Sequence, residues 1–304
     1  MRAKIKSLSP IEHRYAEVNG VRLHYATAGA GPLMLFVHGF PQFWYAWHEL
    51  LPEFGRDHHA VAPDMRGINL SGKPEGVAAY HATELTEDLH QLIAHLGHER
   101  CVLVAHDWGG AVAWNFACRH PDLVERLVII NAPHPVAFAR ELKHNPAQQR
   151  ASDYMRLLRS DKAERVLSED NFRRLAGLFR EWGHAGGSAA DPATIEIYKQ
   201  AWKQPGALTA GLNYYRASPL YPPAAGESAD HIPDLRPEDF TVRAPALVIW
   251  GESDTALLPG LLDGLDACVP DLRIERIPQG SHWVVHEFPD RLTALIRDFL
   301  GKPA

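Results

Sequence analysis

Asp107, Asp254 and His282 are the residue types that a two-step nucleophilic displacement needs, and they occur in the order nucleophile, acid, base. Asp107 ends the run Cys101-Val102-Leu103-Val104-Ala105-His106 and stands between two small residues, Ala105 and Gly109. That run is apolar, rich in β-branched residues and short enough for a strand buried on both faces. Beyond the Gly109-Gly110 pair, Ala111 to Cys118 reads as a helix. Strand, sharp turn and helix with the nucleophile among small neighbours is the layout of a nucleophile elbow, with Ala105 for the usual first Gly and Asp107 for the usual Ser. Asp254 lies in Gly251-Glu252-Ser253-Asp254 and His282 in Gly280-Ser281-His282-Trp283, each just past a strand, where parallel sheets build their sites. Taken singly, each has a plainer reading. Asp107 could cap the helix beginning near Gly109, Asp254 could be another N-cap, and His282 could be a satisfied core histidine. Order and placement together favour one shared site.

An Asp nucleophile sets the chemistry. A carboxylate is charged at neutral pH and needs no base to activate it. It suits attack on an sp³ carbon bearing a leaving group, which gives an alkyl–enzyme ester. His282, steered by Asp254, would then activate water against the ester carbonyl, and an oxyanion would form on an Asp107 oxygen.

The positioning elements read off the chain in order. Tyr15 to Val18 and Val21 to Thr27 flank Asn19-Gly20, a strong hairpin signal. Leu33 to Val37 is a buried-type strand running into His38-Gly39-Phe40-Pro41. Trp44 to Phe54 reads as an amphipathic helix, Ala60 to Ala62 as a strand ending in Pro63-Asp64, and Thr86 to Leu96 as a helix with one apolar face. Leu127 to Ile130 is a strand closing at Asn131-Ala132-Pro133-His134-Pro135. Strands alternating with helices imply an α/β fold with a mostly parallel sheet covered on both faces. From Val136 to Asp239 the chain turns helical, with helices over Tyr154 to Leu158, Phe172 to Trp182 and Thr194 to Trp202, and a Pro-rich return from Pro219 to Pro237. Strands resume at Ala246 to Trp250 and Leu272 to Ile277, and a last helix spans Pro289 to Leu300. The expected organisation is a core over 1–135, a helical cap over 136–239 and the rest of the core over 240–304.

At 304 residues the chain can hold one large α/β domain with an insertion, and its 46% hydrophobic and 22% charged residues are ordinary for a globular protein. A net charge of −6 argues against a general nucleic-acid binder and for a cytoplasmic protein. The Cys residues (Cys101, Cys118, Cys268) cannot all pair with one another and read as reduced. Met1 to Lys6 is basic but lacks the apolar stretch of a signal peptide, and no run is long enough for a membrane helix. The His residues are scattered rather than set at ligand spacing, with His58 and His59 pointing to opposite sides of a strand, so no metal site or cofactor is expected.

The chain resembles α/β-hydrolases of the epoxide hydrolase and dehalogenase branch over nearly its whole length. The motifs are His38-Gly39-Phe40-Pro41, Asp64-Met65-Arg66-Gly67, His106-Asp107-Trp108-Gly109-Gly110 and Gly280-Ser281-His282-Trp283. The resemblance implies an eight-stranded, largely parallel sheet with a helical cap inserted after its sixth strand, and a cis peptide before Pro41. It also implies an oxyanion hole from the backbone N–H groups of Phe40 and Trp108, each worth roughly 3–4 kcal/mol in the transition state. Where the family continues Asp-x-Arg-Gly with an aromatic and a Gly, this chain has Ile68 and Asn69; Asn tolerates positive φ, so the turn should survive.

Epoxide hydrolases carry a cap Tyr in a pattern like Asn-Trp-Tyr-Arg, matched by Asn213-Tyr214-Tyr215-Arg216, and another matched by Asp153-Tyr154. Tyr215 and Tyr154 would hydrogen-bond and protonate the epoxide oxygen; their plainer reading is packing on the cap. The pocket is expected to draw on Trp108, Phe40 and Trp283, with Leu178, Phe179, Trp182 and Trp202 as further apolar surface. Haloalkane dehalogenases match at Trp108 but usually carry a side-chain donor where Phe40 stands or in the cap, and haloacid dehalogenases follow the Asp with an Arg that is absent here. A catalytically silent binding protein would normally have lost one of Asp107, Asp254 and His282. The expected partner is a small-molecule epoxide. A homodimer is compatible with this reading; nucleic acid and membrane are not expected.

Overall fold

The computed structural model describes residues 9–183 and 188–301, so the basic segment Met1–Lys6 lies outside the described residues. In chain order the core begins with β1 (Glu12–Val18), β2 (Val21–Ala28), β3 (Leu33–Val37), α1 (Leu50–Phe54), β4 (His59–Pro63) and α2 (Ala82–His95). It continues through β5 (Cys101–His106), α3 (Trp108–Arg119) and β6 (Val124–Ile130). Then come α4 (Pro135–His144), α5 (Pro146–Ala151), α6 (Tyr154–Arg159), α7 (Ala163–Glu181), α8 (Pro192–Trp202) and α9 (Ala207–Ala217). The chain closes with β7 (Ala246–Gly251), β8 (Leu272–Ile277), α10 (Val284–Glu287) and α11 (Pro289–Phe299).

The strands form one eight-stranded sheet in the order β1-β2-β4-β3-β5-β6-β7-β8. β2 pairs antiparallel with β1 and β4, and every other pairing is parallel. Alternate strand residues go to opposite faces. Leu33, Leu35, Leu103, Leu127 and Ile129 pack with Leu89 and Leu92 of α2 and Phe116 of α3. Met34, Phe36, Val104, Val128 and Ile130 pack with Leu51 and Phe54 of α1 and Leu292 and Ile296 of α11. Both faces are dry, which is why the central strands read as unbroken apolar runs.

Trp44 to Phe54 is not one helix. A 3-10 turn spans Trp44–Trp47 and α1 starts only at Leu50. Pro52 explains the break: its ring would collide with the carbonyl four residues back in a continuous helix, but it fits the first turn of a new one. In the α7 segment the chain takes a left-handed turn, with φ of 50° at Asp170, 54° at Asn171 and 61° at Phe172, and the expected helix from Phe172 begins as that turn ends. The Asn19-Gly20 hairpin has φ of 46° and 69°, as a two-residue primed turn requires.

Candidate active site

Asp107 sits between β5 and α3 with φ 50° and ψ −123°. The helix starts directly at Trp108 rather than after the glycine pair, because that pair is needed inside the first turn. A Cβ on Gly109 would lie 2.2 Å from the Val37 carbonyl oxygen, and one on Gly110 would lie 2.2 Å from the Ala132 Cβ. Gly39 is equally constrained: its Cβ would stand 2.2 Å from Asp107 Oδ1. The Asp107 carboxylate is turned back over the end of β3, where Oδ1 accepts the Phe40 N–H at 2.7 Å. The Trp108 N–H lies beside the same carboxylate and favours its charge. A main-chain donor on the carboxylate with a second beside it forms an anion-holding corner. The peptide bond between Phe40 and Pro41 is cis.

The base and its partner stand at the ends of β7 and β8. His282 Nδ1 donates to Asp254 Oδ2 at 2.8 Å, while Nε2 faces Asp107 Oδ2 at 3.6 Å, too long for a hydrogen bond. Asp254 Oδ1 accepts the N–H groups of Ala256 (2.8 Å) and Leu257 (2.9 Å), so its capping reading is half right: it nests a turn and holds His282 at once. Asn131 escaped the sequence reading. Its Nδ2 donates to Asp254 Oδ2 at 2.8 Å and its Oδ1 accepts the Gly251 N–H at 2.9 Å, with φ at 38°. A polar residue closing an apolar strand beside the strand that carries the acid was the available signal.

Burial pushes the Asp107 carboxyl up, but His282 beside it, His106 and the Trp108 N–H outweigh that and hold it below its usual range. Burial likewise opposes protonation of His282, yet Asp254 and Asp107 win and raise its pKa to about 10. The free site is therefore an imidazolium between two carboxylates.

Tyr154, the first residue of α6, and Tyr215, on α9, meet above Asp107. Their rings are 6.3 Å apart, their hydroxyls interact with each other, and the Trp108 ring stands edge-on to Tyr215 at 4.9 Å between centres. Burial and the nearby carboxylates push both phenols well above the usual value, so both stay protonated. With Asp107 and Trp108 they line an apolar cavity of about 230 Å³.

The expected walls need correcting. Among the pocket candidates only Trp108 lines the cavity; the others pack. Trp283 is fully buried, stacked on Phe179 with ring centres 4.4 Å apart, and its indole donates to the Leu178 carbonyl. Phe40 lies edge-on to Tyr215, Trp202 donates to the Pro41 carbonyl, and Trp182 stands edge-on to His282. The walls are instead Val112, Phe138, Met155, Leu220, Leu235 and Leu257.

Asp64 ties the oxyanion loop down. Its carboxylate accepts from Trp44 N–H (3.0 Å), His24 Nδ1 (2.6 Å) and Asn69 Nδ2 (2.8 Å). Asn69 takes φ 45°, so the loop survives its departure from the usual pattern and gains a hydrogen bond. His58 precedes β4 rather than lying in it, and bonds Asp57, while His59 meets His98 at 3.0 Å. The histidines are less scattered than the spacing suggests: α2 and the residue after α3 bring donor atoms of Glu87, His90 and His120 within 4.8 Å of one another, a group of metal-ligand types. Its carboxylate is already held by Gln91 and His90, and none of the three lines the cavity.

Residues 32–289 match the sequence model of the α/β-hydrolase fold. The chain belongs to the α/β-hydrolase family. It is 36% identical to the AB hydrolase superfamily protein YfhM of Bacillus subtilis (strain 168), over 95% of this chain and 98% of that one. It is also 36% identical to epoxide hydrolase 3 of Xenopus tropicalis, over 95% of this chain and 78% of the relative. The crystal structure of a Bacillus megaterium epoxide hydrolase in complex with an inhibitor superposes with a TM-score of 0.88 at 37% identity, covering 95% of this chain and all of that one.

Proposed function

We propose that the chain is an epoxide hydrolase that opens its substrate through an ester on Asp107. The observation that carries this reading is the pair of protonated phenols of Tyr154 and Tyr215, their rings 6.3 Å apart, held over a charged carboxylate that already accepts the Phe40 N–H. Asp107 attacks a ring carbon, the ring C–O bond breaks, and a phenol gives its proton to the departing oxygen, which stays on the product. Asp107 Oδ1 rests on the Phe40 N–H, so Oδ2 is the attacking oxygen and the ester carbonyl forms in the hole. Ester formation removes the Asp107 charge, one of the two carboxylates that hold His282 protonated. Its pKa therefore falls, it gives its proton to solvent, from which the phenolate left by ring opening regains one, and the imidazole becomes a base as the step that needs one begins. It then takes a proton from water, whose oxygen attacks the ester carbon. Collapse breaks the bond from that carbon to the substrate oxygen; the hydroxyl proton left on Asp107 goes to the departing alkoxide, which gives a vicinal diol, an ionised Asp107 and a protonated His282.

The helices between β6 and β7 supply the phenols and one cavity wall, and residues 136–239 act as a cap over the core. The apolar walls suit an alkyl or aryl epoxide. Three cysteines without a disulfide support a reducing compartment such as the cytoplasm. No helix among the described residues is long and apolar enough to cross a membrane. Phe40 offers the site a main-chain donor only, which weighs against halide as the leaving group.

The test is a His282→Gln variant, mixed with styrene oxide, 1-bromobutane or chloroacetate and read by peptide mass spectrometry. The Asp107 peptide should gain the full mass of the epoxide. A gain equal to a halide substrate less its halide would move the assignment to dehalogenation, and no adduct would favour a binding protein.

A further inference from the structure

The mechanism above uses the side chain of His282 and leaves its main chain unexplained. Both main-chain groups are held from outside their own loop. The N–H donates to the carbonyl of Trp182, the residue after α7, at 3.2 Å. The carbonyl accepts from His106 Nε2 at 2.8 Å. His106 Nδ1 meets the Gln42 amide at 3.0 Å, the other end of that amide lies 3.4 Å from the Tyr198 hydroxyl, and that hydroxyl meets His286 Nε2 at 2.7 Å. All five side chains are buried, so the polar atoms that meet along this chain of contacts must pair donor with acceptor.

The proton positions follow from that requirement. A carbonyl only accepts, so His106 carries its proton on Nε2. Burial and the neighbouring His282 drop its pKa to about 4 against the raising effect of Asp107 and Asp254, leaving Nδ1 an acceptor. The Gln42 amide as placed sets Oε1 toward Nδ1 and Nε2 toward the Tyr198 hydroxyl. The two ends of an amide are assigned by their hydrogen bonds, and this proton count requires the turned form, with NH2 to Nδ1 and oxygen to the Tyr198 O–H. The Tyr198 oxygen in turn accepts from His286, which burial, His48 and His106 keep neutral. Every donor points the same way, from α10 through the Tyr198 of α8 to the carbonyl of the base, and such aligned bonds polarise one another.

We propose that Gln42, His106 and Tyr198 are positioning residues that set where His282 stands over Asp107, acting from the seated α8 through the His282 main chain. The 3.6 Å gap between His282 Nε2 and Asp107 Oδ2 is the distance this arrangement holds. It matters for the hydrolytic step, where His282 must aim a water at the ester, and not for ester formation, where His282 is a bystander. The proposal rests on the two-step reading given above.

The test is single-turnover kinetics on styrene oxide, resolving ester formation from ester hydrolysis by quenched-flow mass spectrometry, in wild type, Tyr198→Phe and Gln42→Glu. Tyr198→Phe keeps the ring and removes only the hydroxyl. It should leave ester formation within about twofold of wild type and slow ester hydrolysis on the order of tenfold, since small misplacements of a reacting group cost that much or more. Gln42→Glu replaces the donor with a carboxylate, so His106 must take a second proton to face it. A cation then stands beside His282, opposing Asp254, and the acid limb of ester hydrolysis should move to lower pH. A variant that loses thermal stability while both steps keep their rates and pH limbs would overturn the proposal, as would equal slowing of both steps. A wild type that forms no epoxide-mass ester would overturn the two-step reading, and the relay with it.

Discussion

The two sides of the cavity are built on opposite principles. The core side carries charge: Asp107, Asp254 and His282, each fixed by main-chain donors or by other polar side chains within hydrogen-bonding distance. The cap side carries none. Tyr154 and Tyr215 are set by ring packing against Trp182, Trp108 and Phe40, and their hydroxyls interact with each other and with Trp108. A buried charge is unaffordable without dense polar support, whereas a neutral hydroxyl needs only one partner. The side that makes and breaks the ester is therefore rigid and specified atom by atom. The side that feeds it a proton is held by shape.

This contrast can be broken from either side. The largest effect is expected from Asp107→Ala, which removes the carbon–oxygen bond-forming group and should abolish both turnover and the ester seen by mass spectrometry. On the cap side, Tyr154→Phe with Tyr215→Phe should slow ester formation by roughly 10²–10⁴-fold, the span of general acid catalysis, while either change alone leaves measurable ring opening. An unchanged single-turnover rate in the double variant would sink the role of the phenols. Asn131→Ala tests the polar support itself. It leaves Asp254 one donor short and the Gly251 N–H unpaired, which should destabilise the fold by about 1–3 kcal/mol in chemical denaturation and slow ester hydrolysis more than its formation.

A smaller and subtler effect lies in pH. In the free protein His282 is raised from 6.5 to about 10, so its contribution to stability is complete below pH 6.5 and is lost as pH climbs toward 10. The ester form lacks the Asp107 charge. The acid limb of kcat, where ester hydrolysis limits turnover, should thus fall at a lower pH than the His282 titration that NMR reports for the free protein. Coincidence of the two values would show that the Asp107 charge does not govern the base.

The sequence was most readable where one residue type answers one local demand. β3 has the expected bounds because a strand dry on both faces must be apolar along its length, and β8, a half-exposed edge strand carrying Arg273, Glu275 and Arg276, has them through its alternation of apolar and charged residues. Gly39 and Gly109 announce close backbone approaches, and Asp107, Asp254 and His282 fall together as their order required. What stayed hidden depends on packing between distant segments. Trp283 looked like pocket surface because it adjoins His282, but both lie in the turn before α10 and the Trp283 ring goes into the aromatic seam with Phe179. Asn131 was visible as a strand terminus, yet its task exists only because β6 lies beside β7. The Glu87, His90 and His120 group likewise forms only when α2 meets the end of α3.

The wall formed by Leu220, Leu235 and the prolines near them has a bearing on how such a protein changes its diet. That stretch, between α9 and β7, reaches the cavity without belonging to a regular helix or strand. A substitution there disturbs no ladder and no elbow, and loops of this kind tolerate exchange far better than the elements they join. Selection for a longer or bulkier epoxide can therefore act on the return segment while the ester chemistry stays untouched, and directed evolution of substrate range should begin at Leu220 and Leu235 rather than around Asp107.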